Sequence, residues 1–129
     1  MRGINKVVLV GHVGKKPEVR KLENDISVAS FPLATSEMGT QNGIKAEQTE
    51  WHNVVMWRGL AECAAKYLDK GRLIYLEGKI RTRIFDDKNG HRKQTTEILA
   101  ESFTILGRKN DFDAAEEFAV RNLSIQSQP

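Results

Sequence analysis

From Leu76 to Phe85 the chain changes character at almost every step. Leu76, Ile80, Thr82 and Ile84 share one parity; Lys79, Arg81, Arg83 and Phe85 share the other. Successive side chains of a β-strand point to opposite faces. The stretch therefore predicts a strand with an apolar face for a core and a cationic face ending in an aromatic ring. The same reading along the chain gives four more long elements. Ile4–Val13, rich in Val and Leu, predicts a first strand that Pro17 closes, with Glu18–Leu22 as a short continuation and ENDIS as a turn. Ile26–Glu37 predicts a second strand. Its apolar phase moves from Ile26 and Val28 to Phe31 and Leu33, and Pro32 removes a ladder donor, so a bulge is expected there. Met38–Gln48, polar and with two glycines, reads as a long loop.

Thr49–Trp57 predicts a third strand, with Trp51, Asn53, Val55 and Trp57 on one face and His52, Val54 and Met56 on the other. The period then changes: Leu60, Ala61, Ala64, Tyr67 and Leu68 recur at helical spacing and Gly71 follows, which predicts a helix over Arg58–Lys70. Leu73–Phe85 and Gln94–Leu106 are the last two strands, joined through Asn89-Gly90, a strong hairpin signal. The expected fold is all-β: a five-stranded OB-fold barrel with one helix between strands three and four. Residues 1–107 form that domain. Residues 108–129 read as a flexible tail, in which Phe112, Ala115, Ala119, Val120 and Leu123 make a weak apolar stripe.

Composition narrows the function. The 129 residues are 40% hydrophobic and 29% charged, as for one globular domain, and the net charge of +3 argues little by itself. The charge is unevenly placed: residues 1–107 carry 17 Lys and Arg against 13 Asp and Glu, and the remainder 3 against 4. The one cysteine, Cys63, has no partner for an internal disulfide and reads as a small packing residue of the helix. No apolar run approaches the roughly 20 residues of a membrane span, and the N-terminus has no signal-peptide pattern. A cytoplasmic protein is expected.

Nothing points to catalysis. His12, His52 and His91 lie on separate elements without metal-ligand spacing, and Asp86-Asp87 enter a hairpin turn, where Asp is common. No nucleophile elbow or phosphate loop is present, and neither a metal nor a cofactor is expected. Binding of a single-stranded nucleic acid is better supported. Trp51 and Trp57 project to the same side of a strand whose opposite face already supplies apolar residues, and Asn53 between them is awkward in a core. Lys79, Arg81 and Arg83 can follow phosphates, while Trp51, Trp57 and Phe85 can stack on bases whose faces are free only when unpaired.

The segments RGINKVVLVGHVGKKPEVR, VASFPLATSE, EQTEWHNVVMW, LAECAAKYLDKGRLIYLEGKIRTRIF and TTEI, in this order over about residues 2–106, closely resemble the bacterial single-stranded DNA-binding protein family, SSB. The resemblance implies sequence-independent binding of single-stranded DNA in replication, recombination and repair by a homotetramer of OB-folds. By position it makes Trp51, Trp57 and Phe85 the base-stacking aromatics, Trp57 standing where many relatives have phenylalanine. It places His52 and Tyr75 at subunit contacts. Many relatives carry a further tryptophan just after the LATSE-like stretch; here Met38 and Gly39 follow. The family typically ends in a Gly/Pro/Gln-rich linker and an acidic tip that recruits genome-maintenance proteins. This sequence closes on NLSIQSQP, which carries neither, so such recruitment is not expected of it. Two rival readings share the fold: a primosomal OB-fold adaptor acting chiefly through protein partners, and a binder of single-stranded RNA.

Overall fold

The computed structural model describes residues 2–107; the tail expected over 108–129 lies outside the described residues. Six strands are present: β1 Val7–Val13, β2 Glu18–Lys21, β3 Ser27–Gln41, β4 Ile44–Trp57, β5 Leu73–Asp86 and β6 Arg92–Leu106, with helix α1 Gly59–Tyr67 between β4 and β5. They pair in the order β1-β5-β6-β4-β3-β2, and β1 also pairs with β3. That last contact, His12 opposite Ala34 and Val13 opposite Leu33, closes the barrel. Gly11 permits it, because a Cβ there would run into the Ala34 carbonyl oxygen. β2 pairs only along β3, so the closed barrel has five strands, β1, β3, β4, β5 and β6, as expected from the sequence.

The core follows the two-residue period. Ala29, Phe31 and Leu33 of β3, Val54 and Met56 of β4, Ile74 and Leu76 of β5 and Ile98 of β6 are buried together. α1 packs against β3 and β4 and contributes Ala61 and Ala64, with Leu68 just beyond its end. The helix is shorter than Arg58–Lys70, and two of its residues differ from expectation: Tyr67 and Cys63 are exposed.

Three further expectations need correction. Met38–Gln48 is not a loop. β3 and β4 continue through it as a hairpin whose turn is Asn42-Gly43, both with positive φ (54° and 78°), as two-residue turns require. No bulge forms at Pro32, since the β3–β4 register is unbroken from Val28–Trp57 to Gln41–Ile44; the irregularity lies between β5 and β6, at Glu77/Gly78. Nor does the apolar face of β5 stay buried. Leu76 is fully buried, but Ile80 is 49% and Ile84 61% exposed, because the β5–β6 hairpin runs on past the barrel. Its turn is held by Asp87, whose Oδ1 accepts from the Asn89 and His91 amides at 2.9 and 2.8 Å.

Candidate nucleic-acid interface

Strand register decides which side chains share a surface, since residues opposite one another across a ladder lie on the same face. Val55 of β4 is opposite Leu99 of β6, and Leu99 is opposite Lys79 of β5. The Trp51–Trp57 parity of β4 and the Lys79–Phe85 parity of β5 therefore belong to one face of the sheet, with β6 between them. The neighbouring row, Val54, Ile98 and Ile80, belongs to the core side.

Trp51 is 60% exposed and Asn53 is exposed beside it. Trp57 is half-buried opposite Val28, and its indole Nε1 has no hydrogen-bond partner among the described residues. Lys79, Arg83 and Phe85 are exposed and Arg81 is half-buried. The guanidinium carbon of Arg83 lies 5.0 Å from the Phe85 ring centre, a cation–π distance. Trp51 and Trp57 thus stand on β4 and Phe85 stands on β5 in line with the three cations, with β6 between the two strands.

Two features of this face are invisible to sequence periodicity. The first is a cleft of about 340 Å³ at its Trp51 end, lined by Lys15, Lys16, Pro32, Trp51, His52 and Asn53 among others. It adds two cations from the turn after β1, of which Lys16 pairs with Asp69 at 3.4 Å, and one carboxylate, Glu18; the sequence signal is the GKKP stretch that follows the first strand. Gly14, in the same turn, backs the Trp51 ring. The second is Glu97 of β6, which is buried, with its carboxylate against both Arg81 and Arg83. The cationic row is therefore partly neutralised, and Lys79 is the member of it with no ion pair among the described residues.

His52 has the opposite β4 parity to Trp51, although it reaches the cleft, and Tyr75 has the Lys79 parity but lies beside β1, away from the Arg81–Phe85 end of β5. His52, half-buried, shares a 2.8 Å hydrogen bond between Nε2 and the Thr35 hydroxyl. Tyr75 lies on the exterior of the β1–β5 ladder, opposite Val10. Its hydroxyl donates to Glu77 Oε2 at 2.6 Å, and Lys6 Nζ donates to Oε1 at 2.9 Å. Those two bonds, Lys6 first, hold the Glu77 carboxyl below the usual carboxylate range. The same bonds push Lys6 and Tyr75 above their ordinary values.

The family model for the single-strand binding protein family matches residues 4–106. The chain belongs to that family. Proteins named single-stranded DNA-binding protein from Neisseria meningitidis serogroups A and B are each 45% identical over 109 residues, 84% of this chain and 63% of theirs. One from Chlorobaculum tepidum is 46% identical over 111 residues, 84% of this chain and 68% of its own. The chain thus spans less than two thirds of the Neisseria proteins. A solved structure described as Plasmodium falciparum SSB in complex with single-stranded DNA superimposes with a TM-score of 0.77 at 32% identity, covering 83% of this chain and 98% of that one. Among the described residues no helix is long and apolar enough to cross a membrane.

Proposed function

We propose that this protein binds single-stranded DNA without sequence preference and without catalysis, in replication, recombination and repair. The observation that carries the proposal is the shared sheet face: Trp51 and Trp57 on β4 and Lys79, Arg81, Arg83 and Phe85 on β5, brought to one side by the β4–β6–β5 register. Rings on such a face stack on unpaired bases, cations follow the backbone, and neither contact depends on base identity. Lys15 and Lys16 extend the basic track past Trp51. The names of the family relatives and the DNA complex of the structural neighbour support the same reading.

The assembly proposed is a homotetramer in the bacterial cytoplasm, associated with the nucleoid, with His52 and Tyr75 at subunit contacts. A half-open exterior patch supports the Tyr75 contact: Val8, half exposed on β1, stands opposite Glu77 and next to the Val10–Tyr75 pair. The test is to titrate poly-dT into the protein while measuring its mass in solution, with a matched poly-U competitor. A tetramer that prefers DNA and saturates at a fixed number of nucleotides is expected. A dimer with weak DNA binding would favour the primosomal adaptor, and preference for poly-U would favour an RNA binder.

A further inference from the structure

Glu97 sits where an anion is least welcome. It is 4% exposed, within the face proposed to receive a polyanion. A buried carboxylate is tolerated only when paired and hydrogen-bonded, and a negative charge under phosphates opposes their binding. Its partners explain its presence. Oε1 accepts from Arg81 Nη2 at 3.3 Å and Oε2 from Arg83 Nε at 3.2 Å. Glu97 is directly opposite Arg81 across the β5–β6 ladder, and Arg83 is opposite Thr95, two residues back, so the diagonal neighbour is within reach of a long side chain. Arg83 in turn lies over the Phe85 ring. One buried carboxylate thus touches two cations, and one of those touches an aromatic.

We propose that Glu97 is a positioning residue for single-strand binding. It holds Arg81 and Arg83 across the sheet face and, through Arg83, fixes the plane of the Phe85 ring. The proposal rests on the reading of this face as the DNA-binding surface. A guanidinium has five N–H donors; Arg83 uses Nε and Arg81 one Nη2, so both keep donors for phosphate. Three cations, Lys79, Arg81 and Arg83, outweigh one carboxylate, so the face stays attractive. What Glu97 contributes is order established before DNA arrives, which removes part of the side-chain ordering cost of binding.

Charge and order make opposite forecasts. Glu97→Gln keeps the shape, removes one negative charge and turns an amide N–H₂ toward a guanidinium. If Glu97 were only a charge, the variant would bind more tightly and with a steeper salt dependence. As a positioning residue, its loss should weaken binding about three- to tenfold at low salt, the scale of releasing one or two side chains, without steepening the slope. The experiment titrates a dT oligomer into wild type, Glu97→Gln, Arg83→Lys and Phe85→Leu at several salt concentrations, after thermal melting without DNA has checked each fold. Arg83→Lys keeps the charge but loses the Nε bond and the guanidinium contact with the ring, and should weaken binding at an unchanged slope. Should Glu97→Gln not fold, full affinity in Arg83→Lys overturns the proposal. Tighter binding by Glu97→Gln beside weakened Phe85→Leu overturns it too and leaves the binding face standing. Undiminished affinity in Phe85→Leu, and in Trp51→Ala titrated alongside, overturns the binding face and the proposal together.

Discussion

The Trp51 indole lies so close over Gly14 that a Cβ at residue 14 would come within 2.6 Å of Trp51 Cζ3 and 3.2 Å of Pro32 Cγ. The most exposed ring of the face is therefore seated on bare backbone. The indole is the outer end of a side chain that can swing, so a methyl group at residue 14 should displace the ring and spare the barrel. Gly14→Ala should melt within a few degrees of wild type and bind dT oligomers more weakly. Stacking known from single-strand-binding OB-folds is worth roughly 1–3 kcal/mol per base, and the loss should not exceed that. Tryptophan emission of the free variant, shifted from wild type, reports the displacement directly; identical emission and affinity would remove Gly14 from the site.

Lys79 gives the cleanest electrostatic test, because Arg81 and Arg83 are tied to Glu97 and their removal would strand a buried carboxylate. Each phosphate contact on a single strand contributes about 0.7 to the slope of log affinity against log salt. Lys79→Ala should flatten the slope by about that amount, equally for dT and mixed-sequence oligomers, with stability unchanged. Arg81→Ala with Arg83→Ala should flatten it further but also lower the melting temperature. A parallel shift of the Lys79→Ala line, with no change in slope, would show that Lys79 touches no phosphate.

The β4–α1 junction predicts a stabilising change. Arg58 has φ 59° and ψ −128°, a region that residues with a Cβ rarely adopt. The side chain is exposed. Arg58→Gly should relieve about 1 kcal/mol or more, raising the melting temperature by roughly 4–8 °C. A lower melting temperature would mean the Arg58 side chain makes a contact worth more than the strain.

Acid should weaken the exterior network of Lys6, Glu77 and Tyr75. The Glu77 carboxyl lies below its ordinary value, so its contribution to stability is present above the usual carboxylate range and is lost as pH falls through the depressed value. Lys6 and Tyr75 are raised, so theirs is complete below their ordinary values and is lost as pH climbs through the raised ones. The stability difference between wild type and Glu77→Gln should be greatest around neutral pH and shrink toward both extremes. Thermal melts across pH check it, and a difference constant in pH would contradict it.

Much of this was readable from residue order. The buried set Phe31, Leu33, Val54, Met56 and Leu76 follows alternation, and Ala61, Ala64 and Leu68 follow helical spacing. The 38–48 arm was missed because both its faces are largely exposed. Without an apolar side there is no period to detect, and only Asn42-Gly43 marked the turn. Ile80 and Ile84 have the parity of a core but sit beyond the barrel's end, a matter of strand length that parity cannot report. Glu97 carries no local signal of its own; its place beside Arg81 depends on the β5–β6 register, which pairs residues sixteen apart in the chain. The chemistry proposed for the site is carried by residue types visible in the sequence. Their assembly on one face is a product of the parallel β4–β6 pairing, which no local pattern encodes.

The central claim is that the face shared by Trp51 and Phe85 takes unpaired bases. It is tested most directly by tryptophan fluorescence during dT titration of wild type, Trp51→Ala and Phe85→Leu. Strong quenching is predicted in wild type, with most of it lost in Trp51→Ala and retained at lower affinity in Phe85→Leu. Both variants should bind more weakly by roughly 1–3 kcal/mol per lost stack, with folds intact. Wild-type binding without quenching, and full affinity in both variants, would contradict the claim and place the DNA on another surface.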